Sequence, residues 1–147
     1  MAVKDYYNTK KVEYKGIIFD SNEEAEYYQL LERKQAAGII KEIELQPVLD
    51  LFPAYDYYGK KRQKMVYKLD FRILYSDGVE VYIDIKGMAT ETAKMKRKIA
   101  EYLHPDKQII WIAKSKKWGD RFGWIEYDAL IKVRAANKRE ANKKKRG

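Results

Sequence analysis

KMVYKLDFRILYSDGVEVYIDIK, residues 64–86, reads as two strands joined by a tight turn at Ser76-Asp77-Gly78. In the first strand Met65, Tyr67, Leu69, Phe71, Ile73 and Tyr75 alternate with Val66, Lys68, Asp70, Arg72 and Leu74. In the second, Val79, Val81, Ile83 and Ile85 alternate with Glu80, Tyr82, Asp84 and Lys86. A period of two marks half-buried strands. Odd-numbered residues form the apolar face of both. Opposed residues of an antiparallel pair point to one face, so burying both apolar sets together requires odd to oppose odd. A one-residue slip would turn one set to solvent. The simplest register is a three-residue loop with Tyr75 opposite Val79 and Gly78 in the left-handed position. It places Asp70 opposite Asp84, with Lys86 two residues further along the same non-core face.

Working outward, Lys11 to Phe19 predicts a short hairpin broken at Gly16. Asp20-Ser21-Asn22-Glu23-Glu24 opens a helix that Gly38 closes. Residues 39–52 predict a strand bent at Pro47, and residues 54–62 a polar, turn-rich loop. Gly87 ends the second central strand, and Thr90 caps a helix to Leu103 whose core side uses Ala93, Met95, Ile99 and Leu103, with Lys94, Arg97 and Lys98 facing elsewhere. QIIWIA, residues 108–113, predicts a strand buried on both faces. A basic loop with Trp118 follows, then a helix from Glu126. The element order implies an α/β fold with a mixed sheet centred on an antiparallel hairpin and flanked by helices.

The 147-residue chain suits one domain, able to bury roughly 68–70% of its unfolded surface. It has no cysteine, which removes disulfides and thiolate metal sites. Neither a signal peptide nor a long apolar run is visible, so no membrane span is expected. Net charge is +9, but residues 132–146 hold eight basic residues against one acidic and leave the rest near neutral. Such a tail favours polyanions through counterion release, and equally serves as a solubilising extension. No glycine-rich phosphate loop, GxSxG or paired histidine is present. The single histidine, His104, falls in a Leu-His-Pro-Asp turn.

What remains for chemistry is the carboxylate pair. Asp70 and Asp84 offer hard oxygen ligands suited to Mg²⁺ or Mn²⁺, with Lys86 as their charge partner. The same pattern also describes a solvated strand face with a surface ion pair worth about 0–1 kcal/mol. Glu24 has two competing uses. Ser21-x-x-Glu24 is a capping box, and Glu24 in the first helical turn also points toward the sheet face of Asp70 and Asp84.

Phe19-Asp20-Ser21-x-x-Glu24-Ala25, then Leu45-Gln46-Pro47, then Leu69-Asp70-Phe71, then Asp84-Ile85-Lys86-Gly87 with Thr90, resembles the PD-(D/E)XK nuclease superfamily. More narrowly it is similar to a small phage-encoded nuclease-like family, and more distantly to TnsA-type endonucleases. The resemblance covers about residues 11–113. It departs at Leu69, where the superfamily's name has proline, and at Asp84, where glutamate is common. It implies a restriction-endonuclease-like core over residues 1–131 followed by a basic helical or disordered tail, 132–147. It implies catalytic roles for Glu24, Asp70, Asp84 and Lys86, with Gln46 near the site. It implies Mg²⁺, or Mn²⁺ in its place, on Asp70, Asp84, Glu24 and the Ile85 carbonyl. DNA would be contacted by Lys94, Lys98, Lys116, Lys117, Arg139 and Lys143. The activity implied is hydrolysis of DNA phosphodiesters by an endonuclease in a host cytoplasm. Branched DNA of the Holliday-junction type is the expected substrate, and two cuts would need a homodimer. The alternative is a catalytically inactive nucleic-acid-binding protein on the same fold.

Overall fold

A computed structural model describes residues 10–146. Its elements are β1 (Val12–Tyr14), β2 (Ile17–Phe19), α1 (Asn22–Ala36), β3 (Ile40–Leu45), β4 (Val48–Phe52), β5 (Tyr55–Tyr57), β6 (Lys60–Arg62), β7 (Met65–Lys68), β8 (Phe71–Tyr75), β9 (Glu80–Ile85), α2 (Glu91–Leu103), β10 (Gln108–Lys114), β11 (Trp124–Glu126) and α3 (Tyr127–Arg146). The fold is mixed α/β. Five strands in the order β11-β10-β9-β8-β3 form the main sheet. Only β9 and β10 run parallel within it, and α2 makes the crossover between them.

The central hairpin has the register that apolar parity requires. Phe71 pairs with Ile83, Arg72 with Tyr82 and Ile73 with Val81. The Tyr75 amide donates to the Val79 carbonyl at 2.8 Å, and Gly78 has φ +93°. A side chain at that φ would be strained, so glycine closes the turn.

The first strand of that hairpin is not continuous, however. It breaks at Leu69-Asp70, and so does its neighbour at Gln46-Pro47. One antiparallel ladder nevertheless spans the break: Leu45 pairs with Phe71 and Val48 with Lys68, while the Gln46 amide donates to the Asp70 carbonyl at 2.9 Å and the Leu69 amide to the Pro47 carbonyl at 3.0 Å. Gln46 takes the left-handed conformation, φ +53°, a strained setting for a residue with a Cβ. The bend carries the ladder from one side of the sheet to the other. Leu45, Phe71 and Ile73 pack in a cluster with α1, whereas Leu49, Leu51, Tyr67 and Leu69 pack with Tyr82 and Ala100 of α2. The odd-numbered residues therefore do not share one face along the whole hairpin.

This corrects a second expectation. The face carrying Asp84 is not solvated: α2, α3 and the β4–β7 pair cover it, with Trp111, Ala113, Tyr127 and Leu130 forming a third cluster. Both faces of the sheet carry core, although the Asp84 side stays open toward β3, where Arg72 pairs with the exposed Glu42 and Glu44.

Two further elements differ from expectation, and the open question of the tail closes in favour of helix. Residues 54–62 form the β5–β6 hairpin, not a loop. Met95 and Leu103 are 62% and 44% exposed, and α2 turns Ala100 inward instead. Arg97 joins that inward side, its guanidinium 3.9 Å from the Trp111 ring centre and bonded to Asp128 at 3.1 Å. Finally, α3 runs unbroken through residue 132, so the basic tail is a helical extension of the domain's last element. Among the described residues no helix is long and apolar enough to cross a membrane.

Candidate active site

Four chain segments meet at the end of the sheet where β9 finishes. α1 brings Glu24, the β3–β4 bend brings Gln46, the β7–β8 bend brings Asp70, and β9 with its exit brings Asp84, Ile85 and Lys86. Each placement has a local cause. Ser21 caps α1, its Oγ accepting from the Glu24 amide at 3.1 Å, which fixes Glu24 in the first turn. Gln46 and Asp70 are cross-strand partners at the bend. Asp84 lies on the inner strand β9, beside Trp111 of β10.

Glu24, Gln46 and Asp70 line one cavity of about 230 Å³, walled on its apolar side by Ile17, Phe19 and Phe71. Asp84 lies deeper, 6% exposed, with its carboxyl group within hydrogen-bonding reach of Asp70. The Lys86 ammonium bonds Asp84 Oδ2 at 2.9 Å. Asp70 Oδ2 accepts from the Ile85 amide at 2.8 Å. The structure thus joins all five side chains singled out from sequence. It sets Glu24, Gln46 and Asp70 on a cavity wall and joins Asp84 and Lys86 in an ion pair whose acid is buried and whose ammonium is half-buried.

The competition over Glu24 resolves into a division of labour. Its Oε2 accepts from the Asp20 amide at 3.3 Å, one residue before the cap, while the side chain still reaches the cavity. Leu69 also has a local reason to replace proline. Its amide donates to Pro47, and its side chain is buried in the second cluster. Proline would forfeit the bond.

Electrostatics follow from this crowding. Burial, followed by the neighbouring Asp84 and Glu24 carboxylates, holds the Asp70 carboxyl well above the usual carboxylate range, with the Ile85 amide opposing. Burial also raises Glu24, with Asp84 adding and Lys86 opposing. Among the described residues no three His, Cys, Asp or Glu side chains are already arranged as ligands of one ion. The donor set is the Asp70–Asp84 pair, with Glu24 on the cavity wall. Its all-oxygen chemistry fits a hard divalent cation such as Mg²⁺ or Mn²⁺.

Sequence reasoning missed Trp111 and Tyr67. The Trp111 Nε1 donates to the Tyr67 hydroxyl at 2.7 Å. Lys86 Nζ lies 5.3 Å from the Trp111 ring centre, on a ring that also carries Arg97. A lone tryptophan in an aliphatic strand was the available signal. Its place beside Asp84 depends on the parallel register of β9 and β10.

The six cations expected to meet DNA are not gathered at the site. Lys94 pairs with Glu91 at 3.3 Å and lines a groove of about 510 Å³ between α2 and α3, shared with Arg97, Trp111 and Lys132. Lys98 on α2, Lys116 and Lys117 in the β10–β11 loop, and Arg139 and Lys143 on α3 are all exposed. Lys132, Arg139 and Lys143 recur at helical spacing, so one side of α3 continues the groove's charge. His104 bonds the Asp50 carbonyl through Nε2 at 2.6 Å, away from the carboxylates.

A protein-family model described as "Protein of unknown function (DUF1064)" matches residues 4–120. No curated protein and no solved structure matches the chain.

Proposed function

The chain belongs to the DUF1064 family, and we propose that it is a divalent-cation-dependent DNA endonuclease with a site of the PD-(D/E)XK kind. The observation that carries this reading is the convergence of Glu24, Asp70, Asp84 and Lys86 from separate segments beside one cavity. Three acids against one ammonium in a largely buried setting are unfavourable unless further positive charge enters. Asp70, Asp84, Glu24 and the Ile85 carbonyl would hold the ion. When bound, it makes a water more acidic and offsets negative charge building on the phosphate.

The chain's own groups supply the rest. Asp84 anchors Lys86, so the ammonium is held in place and its remaining N–H donors face charge that develops during attack on phosphorus. Lys86 also orients the attacking water as an ammonium, or takes that water's proton if it has first released its own and stands as the neutral amine. Gln46, fixed by its left-handed backbone, presents an amide to the cavity. The Ile85 amide orients Asp70. Preference for branched DNA, and the homodimer that paired cuts need, rest on the resemblance alone.

The test is incubation with supercoiled, linear, single-stranded and four-way-junction DNA, in Mg²⁺ or in EDTA. Cleavage in Mg²⁺ that EDTA stops is expected. Folded protein that cuts none of the four with Mg²⁺ or Mn²⁺ overturns the reading and leaves a DNA-binding protein on this fold.

The basic end of α3 contributes affinity without sequence preference. Deleting residues 138–147 should weaken duplex binding by tenfold or more at low salt and flatten its salt dependence, at about 0.9 per lost phosphate contact. Filter binding across a salt series measures both, and an unchanged slope would make the tail incidental.

A further inference from the structure

β5 and β6 form a hairpin separate from the main sheet, and every residue of both strands is exposed. Tyr55 pairs with Arg62, Asp56 with Lys61 and Tyr57 with Lys60. Opposed residues point to the same side. One side therefore carries Tyr55, Tyr57, Lys60 and Arg62, and the other carries Asp56 and Lys61. Asp56, the hairpin's one acid, lies 3.8 Å from Lys61 on that second side. Charge is sorted: one side is neutral, and on the other each of two aromatic rings on β5 faces a cation on β6.

The turn adds to this. Tyr58 and Gly59 take left-handed φ values of +47° and +78°. Asparagine or glycine serves the first of these positions with less strain. A tyrosine stands there instead, 90% exposed, its ring 4.8 Å from that of Tyr57. The edge-on pair with Tyr57 leaves most of the Tyr58 ring in water, so its surface is open to a contact from outside the chain.

The hairpin is also tied to the candidate site. β4 leaves from the Gln46 bend, and β7 returns into Asp70. From Gln46 to Phe52 the chain covers at most about 20 Å, or about six nucleotide spacings along one strand.

We infer that the Tyr55, Tyr57, Lys60 and Arg62 side of this hairpin binds unpaired nucleotides, with bases stacked on the tyrosines and phosphates held by Lys60 and Arg62. Single-strand binding of this kind combines a cationic track with aromatic platforms. The inference deepens the nuclease reading, on which the site's role rests, by placing an unpaired segment of the substrate beyond the bend.

The test is fluorescence anisotropy of the full chain in EDTA, with a labelled oligothymidylate and a blunt duplex as probes. Tyr57→Ala should weaken oligothymidylate binding by about 5- to 100-fold while Tyr57→Phe retains it. Lys60→Ala with Arg62→Ala should lower the salt slope by about 1.4. Asp56→Ala with Lys61→Ala, on the other side and neutral in net charge, should leave affinity unchanged. Equal loss from both sides, no loss from either, or a wild-type chain that binds no oligothymidylate overturns the inference. So does a Tyr57→Ala variant that alters sedimentation of the free protein but not oligonucleotide affinity, since the side is then a protein contact. Cleavage with unaffected hairpin variants sinks this inference alone. Binding through this side without any cleavage supports it and sinks the nuclease reading.

Discussion

Asp84→Asn and Lys86→Ala should each abolish DNA cleavage while leaving the protein folded and able to bind DNA. Asp84→Asn keeps the shape of a side chain that is 6% exposed, and its amide oxygen still receives Lys86. What it removes is the charge that would hold a cation beside Asp70. Lys86→Ala removes the one ammonium bonded to the buried acid at 2.9 Å. Losing a positioned general acid–base or charge-stabilising group costs about 10²–10⁴ in rate. Plasmid nicking in Mg²⁺ reads the loss, circular dichroism reads the fold, and gel shift in EDTA reads binding. Lys41→Ala, exposed on β3 and outside the set expected to meet DNA, is the control expected to cut normally. Wild-type nicking by either site variant would remove Asp84 and Lys86 from the mechanism.

Asp70→Asn should stabilise the protein even as it removes the proposed activity. The Asp70 carboxyl binds its proton more tightly when folded than when unfolded, because it is buried beside Asp84 and Glu24. Between the unfolded value of about 3.9 and the raised folded value, the native state therefore holds a proton that the unfolded chain has released. Stability falls as pH rises through that window. Near neutrality the native site is a source of instability that an asparagine, still able to accept from the Ile85 amide, does not share. Asp70→Asn should raise Tm by about 5–8 °C at pH 8, on the order of 2 kcal/mol, and by much less near pH 4. Mg²⁺ should narrow the gap at pH 8 by stabilising the wild type alone, by about 2.7 kcal/mol at a hundredfold excess over Kd. Thermal melts of both proteins across pH, with and without Mg²⁺, decide it. A gap that does not widen with pH contradicts the buried-carboxylate account. A wild-type Tm indifferent to Mg²⁺ and Mn²⁺ contradicts the cation site.

Several elements were legible because their cause is local. Ser21 and Thr90 cap their helices as read, since the hydroxyl that accepts from the third helical amide is written into the sequence at that spacing. Gly38 and Gly78 take the left-handed conformations that their positions demand. The α2 stripe was misread because periodicity counts apolar residues. It cannot know that Arg97 has a tryptophan face to cover and an aspartate to bind, which turns Met95 outward. The β5–β6 hairpin was hidden by its polarity, for a strand with no buried side has no alternation to detect.

Apolar parity over residues 64–86 determined the register by itself as far as Phe71 and Ile83, and so brought Asp70, Asp84 and Lys86 to one end of the hairpin. That much is arithmetic of period two and needs no partner element. The Asp70 amide then leaves that register and donates to the Ile83 carbonyl at 3.0 Å. Only the tertiary structure decided that this side of the sheet is buried, because α2, α3 and the β4–β7 pair come from distant stretches whose apolar faces also need cover. Pro47 marks a bend in one strand of the ladder, but only the tertiary structure revealed that the partner strand bends with it at Asp70, since a bend leaves parity intact in the sequence while moving side chains across the sheet. Burial turned an ion pair of small consequence into a crowded set of acids, to which α1 brought Glu24 and the bend brought Gln46. A solvated pair of aspartates would have little need of a cation; the same pair behind a cavity does.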